Sequence, residues 1–239
     1  MKNSKAVLAI VLAFVFAFAF TACSIELGGE TSWEYTAENK EGSVQLFNDF
    51  FGETFNNTNQ TVTCKNGESE VYTETIDGTS SFASYKTTGA STYSFVKDGV
   101  YYYAMQSENG GVYSTGEESY NYGRYFYKTF VDILDDIPDD VSGDATVTFK
   151  CSSKGQGVEK DGKFTGTSNF ELEMTSENEG KMVISATAKD GLVEKITINQ
   201  VGGESEGEMT FTFEYGNASV TVPDISSWTN MDSNEEEAE

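Results

Sequence analysis

Apolar and polar positions alternate most clearly in the second half of the chain. Phe170, Leu172 and Met174 alternate with Glu171 and Glu173. The same period of two recurs in two later runs, which are Met182, Ile184 and Ala186, and then Met209, Phe211, Phe213 and Tyr215. Because successive side chains of a strand point to opposite faces of a sheet, this pattern predicts antiparallel strands covered on one face.

Turn dipeptides separate short runs of Thr, Ser, Val, Tyr and Phe from Gln60 onward. Asn-Gly or Asp-Gly pairs occur at residues 66–67, 77–78, 98–99, 109–110, 161–162 and 190–191. Each pairs a residue that tolerates positive φ with a glycine, which suits a two-residue type I′ hairpin turn. This part of the chain is therefore predicted to form β-hairpins.

Two segments break the alternation and carry apolar residues at helical spacing instead. The first runs from Ser43 to Phe55, and its apolar residues are Val44, Leu46, Phe47, Phe50, Phe51 and Phe55. The second runs from Arg124 to Ile137, and its apolar residues are Phe126, Phe130, Ile133, Leu134 and Ile137. Each stripe predicts an amphipathic helix against the sheet. The predicted fold is mainly β (α+β), a curved antiparallel β-sheet or half-barrel with an N-terminal helix and one inserted helix.

The first 22 residues have the pattern of a signal peptide. Lys2 and Lys5 precede a run of fifteen apolar residues, from Ala6 to Phe20. A membrane-spanning helix needs about 20 apolar residues, so this run is short for a permanent span and typical of a cleaved leader.

The end of this leader, Phe20-Thr21-Ala22-Cys23, resembles the lipobox of bacterial lipoproteins. In that motif small residues precede a cysteine that is acylated and becomes the mature N-terminus, although leucine is commoner where Phe20 stands. The resemblance implies lipidation of Cys23 and a lipid-anchored location on the extracytoplasmic face of the cell membrane. Two acyl chains on one residue would suffice for stable anchoring. The alternative is an ordinary secretory signal that contains a cysteine.

Three further regions follow the signal peptide. Residues 23–40 are polar and lack a regular pattern apart from Trp33 and Tyr35, so they are predicted to be a flexible tether. Residues 41–228 are predicted to form one antiparallel β domain with two helices. Residues 229–239 are acidic and are predicted to be a disordered tail.

The charge of the chain excludes one class of partner. The formal net charge is −24, and without the two lysines of the signal peptide 13 basic residues face 39 acidic ones, a net charge of −26. Binding of nucleic acid depends on Lys and Arg that neutralise phosphates, so no nucleic-acid partner is expected.

The residue types of this sequence argue against catalysis and metal binding. The chain has no histidine, which removes the commonest general base and metal ligand. An acidic cluster around the end of the second predicted helix (Asp132, Asp135, Asp136, Asp139, Asp140 and Asp144) does not reproduce the spacing of an EF-hand loop. We expect no enzyme activity, no cofactor and no metal.

Cys64 and Cys151 are the two cysteines outside the leader. Both are in phase with apolar neighbours and are predicted to point inward. They form either a disulfide or two buried free thiols, and the sequence leaves both alternatives open, since their separation is unknown.

The densest aromatic region lies between Tyr93 and Tyr127, and one predicted strand in it is apolar or aromatic on both faces. Candidate residues lining a ligand groove are Tyr101, Tyr102, Tyr103, Met105, Phe126 and Phe130. Tyrosine suits an acyl chain or a sugar ring because it offers an apolar body and a polar tip. The alternative is that the second helix covers one face of this strand and the remaining core covers the other.

The order of elements and the closing segment Phe211–Asp224 resemble the lipoprotein-carrier superfamily with the LolA- and LppX-like fold. The resemblance covers residues 39–228 and implies an apolar concave face, lidded by helices, that binds a lipid or acyl chain. Those carriers are soluble shuttles, whereas a lipid-anchored member would act locally. The expected function is therefore non-enzymatic binding of a hydrophobic ligand by a membrane-anchored protein. The alternative is a cell-surface module that binds protein or carbohydrate. The sequence names no ligand, protein partner or oligomeric state.

Overall fold

The computed structural model describes residues 31–116, 147–160, 163–176, 180–202 and 206–232. The predicted inserted helix at Arg124–Ile137, with Phe126 and Phe130, lies outside the described residues. So do the leader, Cys23, the aspartate cluster between residues 132 and 144, and the dipeptide at 161–162.

Thirteen strands and one helix make up the described part of the chain. In chain order the elements are β1 (Thr31–Ala37), α1 (Lys40–Phe55), β2 (Asn59–Asn66), β3 (Ser69–Asp77), β4 (Ser80–Tyr85), β5 (Ala90–Lys97), β6 (Val100–Ser107), β7 (Gly110–Gly116), β8 (Val147–Lys160), β9 (Lys163–Ser176), β10 (Gly180–Lys189), β11 (Leu192–Val201), β12 (Gly207–Tyr215) and β13 (Thr229–Asn230).

All thirteen strands belong to one sheet with the order β1-β8-β9-β10-β11-β12-β2-β3-β4-β5-β6-β7-β13. Every neighbouring pair is antiparallel except β13, which runs parallel to β7. The sheet is open, because β1 and β13 lie at its opposite ends. This confirms the predicted mainly β fold with a curved antiparallel sheet and an N-terminal helix.

The type of each hairpin turn depends on whether the dipeptide lies in the loop or overlaps the end of a strand. Asp98-Gly99 and Asp190-Gly191 form the two-residue loops themselves, and all four residues have positive φ, as a type I′ turn requires. At residues 66–67, 77–78 and 109–110 the type I′ prediction is wrong. Asn66 and Asp77 are still paired strand residues, so the glycine comes first in the loop and is the position with positive φ.

Helix α1 begins three residues before the predicted start. Asn39 caps it, because its side-chain Oδ1 accepts a hydrogen bond of 2.8 Å from the backbone N–H of Gly42. The apolar side that was predicted from the sequence is buried against the sheet, with Phe51 fully inaccessible to solvent. The ring centroids of Phe51 and Phe170 are 5.3 Å apart in an edge-on arrangement.

The sheet carries a hydrophobic cluster on each face. The helix face, defined by Cys151, Leu172, Ile184, Ile196 and Phe211, packs against α1. The opposite face bears a second cluster at the other end of the sheet, formed by Phe95, Ala104 and Ile225 with four partly buried aromatic residues around them. Ile225 and Trp228 belong to the segment that follows β12. The two ends of the sheet are thus covered on different faces.

Parts of both predicted flexible ends form strands of the sheet. Within the predicted tether, Thr31–Ala37 forms β1, because its alternating residues pair in register with β8 and Ala37 is buried. Within the predicted tail, Thr229–Asn230 forms β13, and the Asp232 carboxylate accepts hydrogen bonds of 2.8 Å from both the backbone N–H and the hydroxyl of Thr115. The fold therefore includes residues on both sides of the predicted domain boundaries at residues 41 and 228.

Among the residues that the structure describes, no helix has the length and apolar character needed to cross a bilayer.

Candidate ligand groove

A groove of about 610 Å³ lies between α1 and the part of the helix face formed by β1, β8, β9 and β10. Pockets for small molecules commonly have volumes of about 300–1,000 Å³. The described residues that line it are Trp33, Tyr35, Gly42, Gln45, Leu46, Asp49, Phe50, Glu53, Ser153, Ser168, Ala188 and Gly191. Its volume is therefore that of a small-molecule site.

Aromatic and aliphatic side chains from two elements form its apolar walls. Trp33 and Tyr35 point to the helix face because they alternate along β1 in register with Gly155 and Ser153 of β8. Leu46 and Phe50 come from α1, one turn apart, and Phe50 is held by the ring of Phe170 at 5.4 Å between centroids. Tyr35 is 39% exposed, so part of this apolar surface is open to solvent.

The space exists because the facing positions carry small side chains. Ser153, Ser168 and Ala188 stand where larger residues would fill the gap between sheet and helix. Gly42 lets the start of α1 approach β1 closely, since a Cβ there would lie 2.9 Å from the Cβ of Ala37. The groove follows from this distribution of residue sizes along four strands.

One side of the groove is polar and acidic. Gln45, Asp49 and Glu53 are four residues apart along α1 and therefore form a row on one side of the helix. The side-chain amide of Gln45 donates a hydrogen bond of 2.8 Å to Oδ1 of Asp49. Among the described residues that line the groove there is no lysine or arginine. An apolar wall and a negative rim thus face the same space.

The residues proposed from the aromatic-rich strand do not line this groove. Tyr101, Tyr103 and Met105 lie on the helix face of β6, nine strand positions away from β8 in the sheet. Tyr102 lies on the opposite face, where its ring stacks on that of Phe95 at 5.2 Å. Strand β6 is indeed apolar on both faces, but Tyr102 belongs to the second hydrophobic cluster.

Sequence reasoning missed Trp33 and Tyr35 because both were assigned to the tether. A signal was present, since Trp33, Tyr35 and Ala37 alternate with polar residues over the length of a short strand. The helix residues Leu46 and Phe50 were predicted to face the sheet, and they do pack against the first cluster.

A buried polar cluster occupies the helix face farther along the sheet. Glu74 is 2% exposed, and its carboxylate Oε2 accepts a hydrogen bond of 2.7 Å from the hydroxyl of Tyr72. Burial raises the pKa of the nearby Tyr85, the Thr92 hydroxyl lowers it, and the charge of Glu74 raises it further. The hydrogen bond from Tyr72 offsets part of the cost of burying the Glu74 carboxylate.

Cys64 and Cys151 are both buried and both free, so the candidate disulfide is not formed. Four strands lie between β2 and β8 in the sheet, which separates the two thiols. Burial raises the pKa of Cys64 to about 11 and that of Cys151 to about 12. Since the thiolate is the nucleophilic form, neither thiol is activated at neutral pH.

Within the described ranges no group of three or more Cys, Asp and Glu side chains is placed to hold a metal ion. No protein-family model matches the chain, and neither the curated proteins nor the solved structures contain a significant match to it.

Proposed function

We propose that the protein is a membrane-anchored extracytoplasmic lipoprotein that binds a hydrophobic ligand, a lipid or acyl chain, without catalysing a reaction. The observation that carries the proposal is the groove between α1 and the sheet, with the apolar side chains of Trp33, Tyr35, Leu46 and Phe50 on its walls. Burial of apolar surface contributes about 25 cal/mol per Å² to the free energy of binding. An acyl chain that packs against these walls therefore gains binding free energy.

The anchor proposed from the lipobox-like sequence fits the position of the groove. Strand β1 begins at Thr31, eight residues after Cys23, and it carries Trp33 and Tyr35. A lipid on Cys23 would hold this side of the domain near the bilayer, where acyl ligands are found. The arrangement of one helix over an apolar sheet face also supports the proposed likeness to lipoprotein carriers.

The first experiment is mass spectrometry of lipids that co-purify with a soluble chain beginning at Ser24. Such a chain retains every described element, because the first of them begins at Thr31. We expect a bound lipid or fatty acyl species that organic solvent extracts. A spectrum without any lipid, together with no uptake of added acyl probes, would refute the proposal.

A matched pair of variants locates the binding. Leu46→Ser removes apolar surface from the groove, and Met105→Ser removes a similar side chain from β6, where Met105 is 46% exposed. We expect Leu46→Ser to weaken binding of a twelve-carbon probe roughly tenfold and Met105→Ser to leave it unchanged. Equal effects of the two substitutions would place the ligand elsewhere.

A second candidate is carbohydrate binding. It is favoured by the exposed ring of Tyr35 beside Trp33, with hydrogen-bonding side chains from Gln45 and Asp49 across the groove. Aromatic faces with nearby polar groups suit a sugar ring. Titrations with neutral oligosaccharides and with acyl probes separate the two candidates. A carbohydrate-binding module would bind the oligosaccharides and not the acyl probes, whereas a lipid-binding protein would do the reverse.

A further inference from the structure

We propose that the ligand of the groove carries a positive charge next to its apolar part, as a primary or quaternary amine with an alkyl chain does. This inference rests on the proposed function and specifies the head group. It follows from the charges around the groove and from the aromatic rings that face them.

The acidic rim is not neutralised within the described part of the chain. The side chains of Asp49 and Glu53 line the groove, and neither forms an ion pair with a described lysine or arginine. The ion pairs between Lys86 and Glu70 and between Lys181 and Glu173 lie elsewhere in the fold. Two carboxylates therefore line the ligand space without a basic partner among the described residues.

The carboxylate of Asp49 is also oriented. Its Oδ1 accepts a hydrogen bond of 2.8 Å from Gln45 one turn earlier in α1, which leaves Oδ2 available to a ligand. Glu53 lies one turn later on the same side of the helix. A cationic head group placed along this row would be within reach of both carboxylates.

The opposite wall favours a cation as well. Trp33 and Tyr35 project from β1, and the faces of aromatic rings attract cations through their quadrupole. An anionic head group would meet the carboxylates, the negative faces of the rings and a chain of net charge −24. Fatty acids and anionic lipids are thus the disfavoured members of the hydrophobic class.

Three twelve-carbon probes that differ only in the head group test this. They are dodecyltrimethylammonium, laurate and the uncharged octaethylene glycol dodecyl ether, each titrated below its micelle concentration into the chain that begins at Ser24. We expect the cationic probe to bind roughly five- to tenfold more tightly than the neutral one, and laurate to bind most weakly. The preference should shrink at high salt.

Two double variants with the same change in net charge provide the control. Asp49→Asn with Glu53→Gln should markedly reduce the preference for the cationic probe, with the aromatic rings accounting for what remains, and leave binding of the neutral probe unchanged. Glu208→Gln with Glu214→Gln removes two exposed carboxylates from the opposite face of β12 and should preserve the preference.

The outcomes distinguish the two proposals. Equal affinity for the cationic and neutral probes, tighter binding of laurate, or an unchanged preference after Asp49→Asn with Glu53→Gln would overturn the inference while the acyl-binding function stands. Binding of none of the three probes would overturn the proposed function and the inference with it.

Discussion

The indole ring of Trp33 covers Gly155 across the β1–β8 pair, and a Cβ on residue 155 would overlap the ring carbons. The same relationship recurs at the other end of the sheet, where the ring of Trp228 covers Gly111 of β7. Each tryptophan thus needs a glycine beside it. One pair lies at the groove on the helix face, and the other closes the second cluster on the opposite face.

Gly155→Ala should therefore act on both stability and ligand binding. The added methyl group displaces Trp33, and overpacking of this kind costs about 1–3 kcal/mol of unfolding free energy. Chemical denaturation followed by tryptophan fluorescence would measure the change, and titration of a dodecyl probe would show weaker binding. Gly207→Ala is the matched control, because a Cβ at Gly207 meets nothing within 4 Å. Equal stability of the two variants would contradict this account of Trp33.

Thr54 links the C-terminal end of α1 to β11 of the sheet by a hydrogen bond. Its side chain is fully buried, and its Oγ1 accepts a hydrogen bond of 2.8 Å from the backbone N–H of Val193. The hydroxyl of Tyr215 donates a bond of 2.6 Å to the carbonyl of the same residue.

We expect Thr54→Val, which keeps the shape of the side chain, to lower the unfolding free energy by about 1–3 kcal/mol, because the N–H of Val193 is left buried without an acceptor. Urea denaturation would measure this loss. Thr212→Val changes an exposed threonine of β12 and should have little effect. A loss as large for Thr212→Val as for Thr54→Val would refute the role of this hydrogen bond.

The spacing of apolar residues and the turn dipeptides made much of the fold predictable. Alternation such as that of Phe170, Leu172 and Met174 indicated the strands, and the helical spacing of Phe47, Phe51 and Phe55 indicated α1. These patterns are local, and each is decided within one element. The strand order is different, because β2 pairs with β12 almost 150 residues later, and no local pattern states which strands become neighbours.

The groove was harder to predict for the same reason. Its walls come from β1, α1 and three distant strands, and the small residues that leave it open, such as Ser153 and Ala188, carry no signal by themselves. The aromatic density around Tyr102 was a stronger signal in the sequence. That ring instead stacks on Phe95 beneath the segment after β12, where it stabilises the second cluster.

Anchoring depends on Cys23 and can be tested directly in cells. If the lipobox-like sequence is processed, radiolabelled palmitate should enter the protein, and Cys23→Ala should abolish labelling and release the protein from the membrane fraction. Cys64→Ala is the matched control, because Cys64 is buried in the domain and should not affect labelling. Labelling of the Cys23→Ala variant, or its undiminished retention in membranes, would refute the anchor.

The two buried thiols and the buried Tyr215 hydroxyl make the unfolding free energy fall as the pH becomes alkaline. Burial raises the pKa of Cys64 to about 11 and that of Cys151 to about 12, from 9.0 in an exposed thiol, and it raises the pKa of Tyr215 from 10.0 to about 12. In each case the folded state favours the protonated form. The stability that this preference confers is complete below pH 9, where the unfolded thiols are also protonated, and is lost progressively as the pH rises toward 12.

Denaturant titrations of the chain from Ser24 at several pH values between 7 and 11 should therefore show the unfolding free energy falling above pH 9, and Cys151→Ala should reduce the slope of that fall. Without reductant, a thiol reagent should react with two cysteines after denaturation and with neither in the native protein. Detection of no thiol after denaturation would mean that Cys64 and Cys151 are bridged, which would contradict the arrangement of β2 and β8 with four strands between them.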